Sequence, residues 1–192
     1  RYVYSNRVPV YNPLEYFLFN LPEWDGRDRI RPLAQTVPCD NPHWPELFHR
    51  WFLNMVAHWR GMDKRYANSV SPLLVGAHGT RKSTFCRSIM PPSECSYYTD
   101  SLDFSRKKDV ELSLNRFALI NIDEFDQVSA TQQGFLKHIL QKPVVNARRP
   151  YGTSVVEMRR YASFIATSNH KDLLTDPSGS RRFICIEVKG VI

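Results

Sequence analysis

The stretch Leu73-Leu74-Val75-Gly76-Ala77-His78-Gly79-Thr80-Arg81-Lys82-Ser83-Thr84 passes from an apolar run through a loop into a polar, helix-like segment. Its spacing follows G-x-x-x-x-G-K-[ST], with Arg81 where the second glycine belongs. In such a loop the backbone N–H groups of Gly76, Ala77, His78, Gly79, Thr80, Arg81, Lys82, Ser83 and Thr84 are available to an anionic triphosphate. Lys82 would neutralise the β- and γ-phosphates, and the Ser83 hydroxyl would ligate Mg²⁺. Arg81 leaves two readings open. Its side chain crowds the nucleotide and the loop is a non-binding relic, or it points outward while its N–H still bonds phosphate.

Three further features follow in order. Phe117-Ala118-Leu119-Ile120-Asn121-Ile122-Asp123-Glu124 is an apolar run ending in two acids. A carboxylate at a strand's carboxyl end faces the crevice where α/β sheets bind ligands. Asp123 can complete a Mg²⁺ shell and Glu124 can orient and deprotonate an attacking water. The bland alternative is an Asp-Glu turn capping the next helix. Phe164-Ile165-Ala166-Thr167-Ser168-Asn169 ends in a residue that either meets a γ-phosphate or lytic water, or simply forms a turn. In Gly179-Ser180-Arg181-Arg182-Phe183, Arg181 or Arg182 could stabilise charge on a transferring phosphoryl group, supplied in cis or by a neighbouring subunit. An arginine pair alone is as readily solvated. The order of these features, each at the end or start of an apolar run, points to ATP hydrolysis.

The elements that must hold these residues can be read from periodicity. Apolar runs at 70–75, 97–99, 117–122, 164–167 and 183–188 alternate with helical stretches at 82–90, 105–114 and 129–141. That alternation predicts an α/β core with a mainly parallel five-stranded sheet. The runs 144–148 and 154–161, around Pro150-Tyr151-Gly152, predict an inserted β-hairpin. Residues 1–67 read as a helical annex to a core at 68–192. Within it Trp44, Leu47, Phe48, Trp51, Phe52, Met55, Val56 and Trp59 follow helical spacing. This stripe packs a bundle rather than stacking bases. Shorter helices are expected from Pro13, capped by Asn12, and after Asp25-Gly26-Arg27.

Composition narrows the field. The 192 residues are 42% apolar and 23% charged, and carry a net +7, which excludes a disordered, collagen-like or disulfide-stapled chain. No apolar run approaches the ~20 residues of a membrane-spanning helix. Cys39, Cys86, Cys95 and Cys185 form no C-x-x-C pair, so they read as reduced core residues of a cytoplasmic protein. No targeting signal is apparent. The chain opens on Arg1 and stops at Ile192 just after an apolar run, and so reads as a segment of a longer protein.

The charge is uneven. Residues 1–126 hold 16 basic and 15 acidic side chains, net +1, whereas 127–192 hold 10 and 4, net +6. In the expected hairpin Arg148, Arg149, Arg159 and Arg160 face one acid, Glu157. Arg148 and Arg149 beside Tyr151 suit phosphate contact plus stacking on single-stranded bases. A solvated basic hairpin, or arginines bracing the ATP site, would carry the same pattern.

Residues 76–84, Asp123-Glu124, 166–169 and 179–183 together resemble the ATPase core of virulence-associated protein E (VirE) family proteins, which are related to superfamily 3 helicases within the AAA+ class. Asn12-Pro13, Trp24-Asp25-Gly26 and Arg29-Ile30 resemble the segment preceding that core. The resemblance implies a P-loop AAA+-like fold and an ATP- and Mg²⁺-dependent motor forming a ring, perhaps a hexamer, around DNA. Such proteins occur in phage, plasmid and mobile-element replication modules, often fused to a primase. It assigns Lys82 and Ser83 to Walker A, Asp123 and Glu124 to Walker B, Asn169 to sensor 1, and Arg181 or Arg182 to the finger reaching the next subunit. It also places a hairpin in the ring channel before sensor 1, and a C-terminal lid beyond Ile192. Two other readings are a phosphotransferase acting on a small acceptor and a non-catalytic DNA-binding or assembly module with a decayed loop.

Overall fold

A computed structural model describes residues 11–62, 65–149, 151–170 and 180–192. Three helices come first: α1 (Pro13–Phe19), α2 (Ile30–Gln35) and α3 (Trp44–Arg60). The Asn12 side chain caps α1 by accepting from the Glu15 N–H at 3.3 Å. Helix α2 starts later than Asp25 suggested, because Asp28 takes the free N–H groups of Ile30 and Arg31 at 2.9 and 3.2 Å. Helix α3 ends where Gly61 turns left-handed at φ 62°.

The core alternates strands and helices: β1 (Ser71–Val75), α4 (Lys82–Ser88), β2 (Tyr98–Thr99), α5 (Lys107–Arg116), β3 (Leu119–Ile122), α6 (Ala130–Gln141), β4 (Val144–Ala147), β5 (Val156–Arg159), β6 (Ser163–Ser168) and β7 (Phe183–Glu187). Five strands form one sheet in the order β2-β3-β6-β1-β7, with every neighbouring pair parallel. Antiparallel β4 and β5 form the hairpin. The α/β core, parallel sheet, hairpin and helical annex thus agree with the sequence.

Successive residues of a strand face opposite sides of a sheet. Leu74, Leu119, Ile165 and Ile186 therefore share one face with Trp44, Phe48, Trp51, Met55 and Trp59 of α3. Leu73, Ile120 and Phe164 share the other with Val110 and Leu114 of α5 and Leu136, Ile139 and Leu140 of α6. The aromatic stripe is consequently core and cannot stack bases. The Trp59 indole N–H donates to the Ala118 carbonyl at 3.2 Å, and Asn68 bridges Trp51 O and Ser163 Oγ at 3.1 and 3.0 Å.

Two expectations need correction. Cys95 and Cys185 are exposed, so only Cys86 is a fully buried core cysteine among the four. Arg159 and Arg160 do not belong to the hairpin's free surface. Arg159 reaches into the annex, pairing with Glu15 and donating to the Trp59 and His58 carbonyls at the end of α3. Arg160 is 1% exposed and donates to the Ala162, Ile139, Leu140 and Lys142 carbonyls at 2.7, 2.8, 3.1 and 2.7 Å. It caps the carbonyl end of α6, and burial lowers its pKa to about 9. Among the described residues no helix is long and apolar enough to cross a membrane.

Truncating the buried stripe should be far more damaging than truncating the helix's outer face. Trp59→Ala should cost about 4 kcal/mol and Leu53→Ala less than about 0.5 kcal/mol, as read by urea unfolding.

Candidate functional site

Strands β1, β3 and β6 all run toward the same edge of the sheet, and β6 lies between the other two. The register then decides which side chains meet. Ile122 aligns with Ala166, which brings Asp123 beside Thr167; Val75 aligns with Ser168, which brings Gly76 beside Asn169. The Thr167 hydroxyl donates to Asp123, and the Gly76 N–H donates to the Ser168 carbonyl at 3.1 Å.

After β1 the chain leaves the sheet at Gly76, where a Cβ would sit 2.9 Å from the Val188 carbonyl oxygen. Only glycine fits that approach. The loop turns through Gly79 at φ 79° and Arg81 at φ 63°, ψ 25°, and α4 begins at Lys82. Arg81 thus adopts the left-handed conformation that favours glycine, with its side chain exposed. Its side chain is solvent-exposed at the rim of the cavity that the loop bounds.

Lys82 is 6% exposed. Its ammonium lies within 2.8 Å of Gly76 O, 2.9 Å of Ala77 O, 3.2 Å of Thr80 Oγ1 and 3.2 Å of Asn169 Oδ1. Burial lowers the ammonium's pKa, and the Asp123 carboxylate opposes that shift. The Ser83 hydroxyl donates to Asp123 at 2.9 Å. Glu124, at φ 51°, accepts from the Gln127 amide at 2.6 Å. An open cavity of about 420 Å³ is bounded by loop residues 78–84 together with Asp123, Glu124, Thr167 and Asn169.

Lys82, Ser83, Asp123, Glu124 and Asn169 are therefore brought together. Arg181 and Arg182 are not. They occupy a turn, Ser180–Arg182, leading into β7, and Phe183 aligns with Ser71 at the start of β1. At ~3.3 Å per residue this lies on the order of 20 Å from the loop, beyond the reach of an arginine of the same chain. Arg148, Arg149 and Tyr151 are exposed in the connection between β4 and β5, where the Gly152 N–H donates to the Arg149 carbonyl at 2.9 Å; Pro150 lies outside the described residues. Sequence reading missed Thr167 and Asp126 as members of the site. Asp126 had a signal, as a third acid three residues past Asp123. Thr167 gains its partner only through the register of β3 on β6.

A family model for the virulence-associated protein E-like domain matches residues 18–192. The chain belongs to that family. Its fold is also that of the NrS-1 C-terminal region. An apo structure of that region aligns with TM-score 0.57 and 16% identity over 94% of this chain and 42% of the other. An A-form apo structure gives TM-score 0.57 and 16% identity over 94% and 41%. This virulence-associated protein E-like chain thus spans about two fifths of the length of those structures. No curated protein matches it.

The left-handed residue 81 makes a sharp stability prediction. Arg81→Gly should be neutral or up to about 1 kcal/mol more stable, and Arg81→Val about 1–2 kcal/mol less stable, because a β-branched side chain tolerates positive φ worst. Thermal unfolding of the three proteins checks the order.

Proposed function

We propose that this chain is an ATP-hydrolysing, DNA-translocating motor module of a replication protein from a phage, plasmid or mobile element. The observation that carries the reading is the convergence of Lys82, Ser83, Asp123, Glu124 and Asn169 on one cavity at the carboxyl edge of a parallel sheet.

The donor set suits MgATP. All four groups around the Lys82 ammonium are oxygens, which phosphate oxygens can replace in kind. Ser83 and Asp123 supply adjacent hard oxygen donors of the type Mg²⁺ takes. Among the described residues no group of three or more His, Cys, Asp or Glu could hold a metal. A cation at Ser83 and Asp123 would therefore need water and phosphate oxygens as well, which is the usual habit of Mg²⁺. When bound, ATP supplies the phosphoanhydride bond whose hydrolysis drives movement.

The protein's own groups would divide the work as follows. Lys82 and the 76–84 backbone hold negative charge, and Ser83 and Asp123 hold the cation. Glu124 takes the proton of the attacking water, with Gln127 fixing its carboxylate. Asn169 orients the water or the terminal phosphate. The distance between the arginine pair and the loop favours Arg181 or Arg182 acting on a neighbouring subunit's site within a ring. Arg148, Arg149 and Tyr151 would meet single-stranded DNA through phosphate contact and base stacking.

One observation favours a second reading, a DNA-binding or assembly module with an inactive loop. Lys82 is already satisfied by its own loop carbonyls at Gly76 and Ala77. Activity separates the two. DNA-stimulated ATP hydrolysis should fall by about 100-fold or more in Lys82→Ala and in Glu124→Gln; a rate indifferent to both would leave the inactive module.

The hairpin has its own test. Arg148→Ala and Arg149→Ala should each weaken single-stranded DNA binding and reduce the steepness of its salt dependence by about one ion. Tyr151→Ala should weaken binding by about 1–3 kcal/mol with little change in that slope. Unchanged affinity in all three would remove the loop from the DNA surface.

A further inference from the structure

Asp126 lies in the turn Phe125–Gln127 that follows β3. Its Oδ1 accepts from the Ser168 hydroxyl at 2.7 Å and from the Asn169 N–H at 3.4 Å. Ser168 has one hydroxyl proton and two candidate acceptors, Asp126 and the His170 carbonyl at 3.2 Å. The nearer, anionic oxygen takes it. The Ser168 oxygen is then free to accept the His170 N–H at 3.1 Å. One carboxylate thereby fixes the last residue of β6 and the first residue beyond it.

The turn that carries Asp126 is itself held in place. Phe125 is buried and packs edge-on against Phe183 with ring centroids 4.9 Å apart. Asp126 does not line the cavity that Asp123, Glu124, Thr167 and Asn169 share. Burial raises its pKa, but the Ser168 hydroxyl, its own and the Asn169 N–H groups, and His170, whose Nε2 is 4.0 Å away, bring it below the usual value. It is an ionised acceptor, set back from the cavity and aimed at the residue whose side chain meets Lys82.

We propose that Asp126 is a positioning residue, which fixes Asn169 through Ser168 and the Asn169 backbone so that its amide faces Lys82 and the cavity. The inference rests on the ATPase reading and adds a residue and a role to it. Its chemical requirement is an acceptor oxygen rather than a proton or a metal ligand.

The test is steady-state, DNA-stimulated ATPase kinetics of the full chain. Asp126→Ala should lower kcat about tenfold, with KM for ATP changed by less than about threefold. Asp126→Asn keeps an acceptor oxygen and should recover most of that loss. The double variant Asp126→Ala/Asn169→Ala should be no slower than Asn169→Ala alone, because Asp126 acts through Asn169. Should Asp126→Ala not fold, Ser168→Ala removes the same link from the other side and should lower kcat in the same way. An unchanged kcat in Asp126→Ala, an Asp126→Asn variant as slow as the alanine one, or multiplicative losses in the double variant would each overturn the inference while leaving the ATPase reading intact. A wild type that hydrolyses no ATP would instead overturn that reading, and this inference with it.

Discussion

A buried ammonium has to be surrounded by oxygen, and the edge of this sheet is arranged around that requirement. Lys82 is nearly inaccessible, and no carboxylate is among the four oxygens its ammonium meets. Its charge is balanced by carbonyl dipoles of its own loop, a hydroxyl and an amide oxygen, with Asp123 acting at longer range. Those oxygens come from the segments that follow two strands distant in sequence, β1 and β6, and the pairing of those strands puts them together. Had β6 lain at an edge, Asn169 could not stand between the loop and the acids. The topology is therefore a condition of the site as much as a way of burying Leu73, Ile120 and Phe164.

The hairpin is tied to the same arrangement by residues that look interchangeable in sequence. Arg148, Arg149, Arg159 and Arg160 have the same side chain and share one segment. The first two are exposed, while Arg159 reaches the annex and Arg160 closes the end of α6. A buried guanidinium whose hydrogen bonds all go to carbonyls is expensive to desolvate, so its position is tightly defined. Arg159 ends β5 and Arg160 follows it on the way to β6, and β6 ends at the residue before Asn169. The exposed loop and the cavity residue are thus joined by one short, doubly anchored path.

The parts of this structure set by local rules were legible in the sequence. Helical spacing identified the buried face of α3, and strand-loop-helix spacing identified the loop at 76–84. Boundaries slipped where a group's partner was remote or belonged to the next element. Phe117 reads as strand, yet its N–H closes the last turn of α5 on the Ser113 carbonyl at 2.9 Å. Ser163 reads as loop, yet it opens β6 because its backbone pairs with Leu119 of β3 and its N–H donates to the Ala118 carbonyl at 3.1 Å. The same limit explains the site. Glycine, lysine and acids at fixed spacing are visible in one dimension, whereas Thr167 and Asp126 acquire partners only from strand register.

Arg81 shows how little of a loop's shape one glycine has to determine. The conformation at that position is left-handed although the residue is not glycine. On one side Gly76 is wedged against Val188; on the other the Thr80 carbonyl accepts the Ile192 N–H at 3.2 Å and Lys82 is pinned by its oxygens. With both ends fixed, residue 81 has to close the turn whatever its side chain, and the strain of about 1–2 kcal/mol is borne locally. The cost falls on stability rather than on loop shape, since the side chain is exposed. A departure from the glycine pattern at this position is therefore weak evidence that the loop has lost its geometry.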